Sequence, residues 1–129
     1  MPDDLVSPRE PWVRKFRNAF RGVKAGVRGQ SSFFVHFFFA VVVVAAGLVL
    51  RVAAVDWCLL LLCITGVLTA EMFNSALESM AKAITGDNDP HLGDSLDIGS
   101  AAVLLASIGA VAVGAIVFVR RLGVLLGWF

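Results

Sequence analysis

Apolar side chains fall into three long runs, Phe33 to Leu50, Trp57 to Ala70 and Ile98 to Val119, each too continuous for the one-sided stripe of a soluble helix. About 20 apolar residues cross a hydrocarbon layer about 30 Å thick, so these runs predict three transmembrane helices. The second reaches full length only if it continues through Glu71 to Ala81. Ahead of them, from Pro8 to Arg28, the pattern changes. Trp12, Val13, Phe16, Phe20, Val23 and Val27 recur at three- and four-residue intervals, and the positions between them are largely basic. That pattern predicts an amphipathic helix lying on an anionic membrane surface. Its expected extent is residues 8–29, after a polar tail, 1–7, whose Ser7 is placed to cap it. Pro11 fits only in the first turn. The expected fold class is therefore an all-α membrane protein, with an N-terminal amphipathic surface helix followed by a three-helix transmembrane domain over residues 30–129. No internal repeat and no second domain is visible.

The connections are short. Gly29, Gln30, Ser31 and Ser32 break the surface helix, and Arg51, Asp56 and Trp57 mark a turn that can only reverse the chain. Between Ile84 and Leu96 the residues Thr85 to Ser95 favour turns and predict a loop, with Asp97 opening the third span and either capping it or joining a site. The Asp87-x-Asp89 start is only faintly like a calcium loop, and Pro90 and the lack of a correctly spaced terminal glutamate spoil that reading. Small residues through the third span, among them Gly99, Ala102, Ala106, Gly109 and Gly114, suit close helix packing in lipid.

Composition agrees with the pattern: 58% of the 129 residues are hydrophobic and 16% charged, with a mean hydropathy of +0.83. Ordinary soluble domains lie well outside this range. The net charge of +1 conceals an asymmetry. Arg9, Arg14, Lys15, Arg17, Arg21, Lys24 and Arg28 precede the first span and Lys82 follows the second, leaving Arg51, Arg120 and Arg121 for the other side. The positive-inside rule places the N-terminus in the cytoplasm. No nucleic-acid partner is expected. Cys58 and Cys63, at i and i+5 among leucines, read as buried apolar thiols and not as a disulfide or metal pair. The apolar stretch beginning at residue 33 has no small-residue cleavage site and does not read as a signal peptide. Three short helices leave little room for a buried site in one copy, so an oligomer with shared sites is expected.

Against this background the most telling residues are Glu71, Asn74, Ser75 and Glu78. At i, i+3, i+4 and i+7 they share one helix face where the second span meets the water boundary. Ionisable groups at that depth are costly and mark function. The two glutamates lie about 10 Å apart along the helix, too far to share a proton, so they suit different tasks: one to hold a divalent ion, the other to accept a proton from a hydroxyl. Asn74 and Ser75 can orient a ligand or satisfy the carboxylates. A purely structural alternative pairs Glu71 and Glu78 with Lys82 and the basic helix. That helix is in turn either an anchor alone or one whose Arg14, Arg17, Arg21, Lys24 or Arg28 also meets phosphate. His36, on the first span, reads as a hydrogen-bonded interfacial group sooner than a ligand.

The block Glu71-Met-Phe-Asn-Ser-Ala-Leu-Glu78, followed after a loop by Asp97-Ile-Gly-Ser-Ala-Ala-Val103, resembles the signature of the prokaryotic integral-membrane diacylglycerol kinase and undecaprenol kinase family. The resemblance covers roughly residues 14–119. It implies an ATP-dependent phosphorylation of a lipid hydroxyl, with Mg2+, by a homotrimer in the bacterial inner membrane whose sites are shared between neighbouring chains. The position of Glu71 is then the base on the lipid hydroxyl, Asn74 supports the site, Glu78 binds magnesium, and Asp97 belongs to the active region. Arg14, Arg17, Arg21, Lys24, Arg28 and Ser75 are the candidates for holding nucleotide. Two positions depart from the family pattern. Gln30 stands where a second metal-binding glutamate is usual, and Leu96 where a lysine contacts phosphate; Lys24 or Arg28 is the candidate replacement cation. Phe33-Phe-Val-His36 is closer to the polyprenol branch. Two rival readings are a catalytically impaired membrane protein on the same scaffold and a small transporter subunit whose carboxylates carry protons or cations.

Overall fold

A computed structural model describes residues 11–28, 31–84 and 89–129. Four helices follow in order: α1 (Trp12–Val27), α2 (Ser31–Leu50), α3 (Ala54–Ile84) and α4 (Pro90–Leu125). The last three are long and apolar enough to cross a membrane. At 31 and 36 residues, α3 and α4 are about 46 and 54 Å long and overshoot a hydrocarbon layer of about 30 Å. Glu71 lies about 26 Å along α3 from Ala54, and Glu78 about 36 Å. The polar stripe thus stands at the far boundary from the α2–α3 turn.

α1 ends its predicted run at Val27, and Pro11 stands at its N-cap, one position before the first turn. Ser7, the proposed cap, lies outside the described residues, as does Gln30. No residue of α1 is buried, and Trp12, Phe16 and Phe20 remain exposed along one side. An apolar stripe of that size, left uncovered by its own chain, is what a helix resting on lipid presents.

At the α2–α3 turn Arg51 takes a left-handed conformation, φ 51°, and Val52 N donates to Gly47 O at 3.2 Å. This is the helix-ending geometry that usually employs glycine. Arg121 of α4 donates from Nε to Leu50 O at 2.7 Å, satisfying a carbonyl that has no partner within α2. Beside it Val52, Leu60 and Val117 form the buried core, flanked by Val43, Trp57, Val113 and Phe118. α3 and α4 form the main antiparallel pair, with α2 and α1 packed against α3. In place of the buried thiols expected on α3, Cys58 is exposed and Cys63 half-buried within one chain.

One connection differs from the expectation. The predicted loop through Ser95, and Asp97 as the residue opening the third span, give way to a helix that begins at Pro90. Asp89 is the cap: its Oδ1 accepts from His91 N at 2.8 Å and Leu92 N at 3.3 Å. Pro90 at the first helical position has no N–H to satisfy. Ser95 turns its hydroxyl back onto His91 O at 2.9 Å, so this turn-forming residue is accommodated inside the helix.

Candidate active site

Along α3 the polar stripe distributes its members among three neighbours. Glu71 is 2% exposed, and Asn74 and Ser75 are also buried; Glu78 is half-buried. Glu71 turns toward α2, where Oε1 accepts from Ser32 Oγ and Oε2 lies 3.6 Å from His36 Nε2. Asn74 turns toward α4. Its Nδ2 donates to Glu78 Oε1 at 3.1 Å, while Oδ1 is buried without a hydrogen-bond partner among the described residues. A Cβ built on Gly99 would stand 2.6 Å from that oxygen, so only glycine lets α4 approach the amide this closely.

Ser75 turns toward α1. It lines a cavity of about 500 Å³ together with Ser79, Lys82, Met72 and Ala76 of α3, Gly22, Val23 and Gly26 of α1, and Arg28 just beyond it. Ser75 Oγ is a second buried polar atom without a hydrogen-bond partner among the described residues. A Cβ at Gly26 would meet Met72 Sδ at 2.6 Å, so a larger residue there displaces the flexible end of the methionine. Two cations and two hydroxyls around one opening make a setting for phosphate oxygens. A second cavity, of about 410 Å³ and almost wholly apolar, opens between α2, α3 and α4, with His36 among its lining residues.

Of the residues singled out in the sequence, Glu71, Asn74, Ser75 and Glu78 gather along one segment of α3, and Arg28 joins Ser75 at the cationic cavity. Arg14, Arg17, Arg21 and Lys24 are exposed along α1 and do not line it. Asp97 is exposed on α4, and two residues of helix turn it away from the side that carries Gly99. It therefore does not join Asn74 within one copy, although it lies near the level of Glu78. Ser32 and Ser79 are additions that sequence reasoning left without a role at the site, and Lys82, considered there only as an ion-pair partner of the glutamates, joins the cationic cavity. Ser32 is 39 residues from Glu71 and no local pattern could link them; the i, i+4 and i+7 spacing of Ser75, Ser79 and Lys82 is the signal that was present.

For magnesium the donor chemistry fits in a limited way. Glu78 offers hard carboxylate oxygen beside the Asn74 amide, while among the described residues no group of three or more His, Cys, Asp or Glu side chains converges. Magnesium asks for little more than one or two carboxylates when phosphates and water complete its shell.

The fold and the stripe define a small helical membrane protein with a carboxylate site at one boundary of its apolar layer. Comparison with known proteins narrows the class: the family described as prokaryotic diacylglycerol kinase matches residues 17–118, and the chain belongs to that family of lipid kinases. A diacylglycerol kinase of Synechocystis sp. (strain PCC 6803) is 36% identical over 100 residues, covering 77% of this chain and 57% of that protein. An undecaprenol kinase of Bacillus subtilis (strain 168) is 25% identical over 111 residues, covering 86% of this chain and 90% of that protein. The matched stretch thus spans little more than half of the cyanobacterial relative and nearly all of the Bacillus one.

Proposed function

We propose that the protein transfers the γ-phosphate of ATP to the hydroxyl of a membrane lipid, diacylglycerol or a polyprenol such as undecaprenol. The observation that carries this reading is the position of the acidic stripe between two unlike cavities, one apolar and one lined by Arg28, Lys82, Ser75 and Ser79. A lipid chain suits the first and a polyphosphate the second. Phosphoryl transfer needs mainly positioning and charge neutralisation, so this chain, which has no P-loop, can manage with cations, a carboxylate base and a metal ligand.

In this reading Glu71 supplies the base function at the lipid hydroxyl, and Glu78, steadied by Asn74 Nδ2, holds magnesium on the nucleotide. Bound magnesium would neutralise charge on the phosphates. Gln30, in the family's second metal position, would add an amide oxygen. Arg28 and Lys82 take the place of the lysine that Leu96 replaces. Arg14, Arg17, Arg21 and Lys24 hold α1 to an anionic inner leaflet, which sets the N-terminus in the cytoplasm of a bacterial cell. Asp97 and the exposed side of α4 complete the site from a neighbouring copy in a homotrimer. Residues 30–129 then act as the kinase domain.

Purified protein in lipid, given labelled ATP and a panel of diacylglycerol, undecaprenol and ceramide, tests this directly. One labelled lipid product is expected. Nucleotide binding with no product would identify the impaired scaffold instead, and charge movement across sealed vesicles without product a transporter subunit.

A further inference from the structure

The apolar cavity between α2, α3 and α4 contains one hydroxyl that nothing in the chain engages. Ser107 Oγ of α4 is buried without a hydrogen-bond partner among the described residues. Ser107 is one of three polar residues on a wall otherwise made of side chains such as Val43, Leu60 and Phe118. Of the other two, His36 turns Nε2 to Glu71, and the Cys63 thiol is only a weak donor. A hydroxyl inside a helix ordinarily bonds the carbonyl one turn back. Thr65 does so onto Leu61 O at 2.7 Å and Ser95 onto His91 O at 2.9 Å. Ser107 does not, and a desolvated donor in an apolar space is costly until a ligand brings it an acceptor.

The depth of Ser107 identifies that acceptor. Gly99 stands opposite Asn74, and Val117 clusters with Leu60, on antiparallel helices; Ser107 is therefore level with the turn of α3 that carries Val67 and Leu68. Both of those residues line the cavity. Glu71 follows them on the same face of α3, about 5 Å nearer the water boundary. A lipid hydroxyl at Glu71 is thus above the cavity, one turn short of Ser75 in the cationic cavity, and the body of the lipid hangs below it past Ser107. In a diacylglycerol the ester carbonyl oxygens are five or six bonds from the free hydroxyl, on the order of 5 Å away. A polyprenol has only hydrocarbon at that depth.

We infer that Ser107 is a specificity-determining residue of the lipid site: its hydroxyl donates to an ester carbonyl of the lipid whose free hydroxyl lies at Glu71, and the substrate is a glycerolipid ester in preference to a polyprenol. This rests on the lipid-kinase reading and keeps Glu71 as the base. A bound ester satisfies the buried donor, whereas a prenyl chain covers it and leaves it unpaired, and a site built to hydrogen-bond its substrate rejects an analogue that lacks the partner atom. The assignment departs from the polyprenol likeness of Phe33-Phe-Val-His36, of which only Val35 and His36 reach the cavity.

The test uses the full chain in lipid and three acceptors: a diacylglycerol, the dialkyl ether of the same chain length, which lacks only the carbonyls, and undecaprenol. Wild type and Ser107→Ala are compared by kcat/KM for each, with binding of a non-hydrolysable ATP analogue as the check that the variant is folded. Wild type should prefer the ester to the ether by about tenfold, the worth of one hydrogen bond to a desolvated partner. Ser107→Ala should lose about tenfold on the ester and little on the ether or on undecaprenol, so the preference disappears with the hydroxyl. The wild-type comparison of ester with ether needs no variant and decides the matter if the alanine protein fails to fold. A wild-type protein that treats ester and ether alike overturns the inference, as does one that prefers undecaprenol to diacylglycerol. A Ser107→Ala protein that weakens all acceptors equally overturns it too, since that is the mark of a packing role. Failure of the wild-type protein to phosphorylate any lipid is a different result and removes the kinase reading itself.

Discussion

Asn74 and Gly99 meet across the α3–α4 seam so closely that a Cβ on the glycine would stand 2.6 Å from Asn74 Oδ1 and 2.9 Å from Leu77 Cδ1. The same amide donates from Nδ2 to Glu78, so helix packing and site geometry share one side chain. Gly99→Ala should push Asn74 away from Glu78, costing about 1–3 kcal/mol in overpacking and at least about tenfold in turnover. Gly109→Ala is the control, since nothing lies within 4 Å of its Cβ position. Thermal unfolding in detergent and lipid phosphorylation read the two effects; equal behaviour of both variants would remove the seam from the account.

The two glutamates should separate kinetically. Glu71→Gln should leave nucleotide affinity near wild type while turnover falls about 100-fold or more. Glu78→Gln should raise the magnesium concentration needed for half-maximal rate. A magnesium titration of each variant checks this, and matching curves would deny the division of labour.

The cationic cavity distinguishes residues that the sequence left equivalent. Arg28→Ala and Lys82→Ala should each weaken ATP binding about tenfold, the loss of roughly one charge-assisted contact worth about 1.5 kcal/mol. Lys24→Ala, whose side chain does not line the cavity, should weaken it far less. Equilibrium binding of a fluorescent ATP analogue measures all three; a larger effect at Lys24 would move the phosphates out along α1.

At the opposite boundary Arg121→Gln should lower the unfolding temperature without changing the KM for ATP. The Nε to Leu50 O bond is charge-assisted and worth about 1.5–3 kcal/mol. A shift in nucleotide KM would show that the two ends of the helices are coupled.

Much of the architecture was legible because its signals are local. The apolar runs specify the spans, the three- and four-residue spacing specifies α1, and i, i+3, i+4, i+7 specifies the stripe. What escaped involves partners remote in sequence or competition between signals. Asp89 followed by Pro90 begins a helix that the surrounding glycine, aspartate and serine residues would deny, because the cap and the packing on α3 outweigh their turn preference. His36 looked solitary until α2 folded against α3 and brought Glu71 to its ring. Asp97 showed the reverse: its place in the motif put it in the active region, and helix rotation leaves it exposed within one copy.

α3 continues past the apolar layer as an unbroken rod with Glu71 directed to one side and Ser75 and Lys82 to another. For the proposed reaction it serves as a partition: the oily substrate arrives laterally out of the bilayer and the polyphosphate descends from water along a separate wall. Neither has to vacate the other's entrance, so the ternary complex can assemble in either order, and saturation with one substrate should not slow entry of the second.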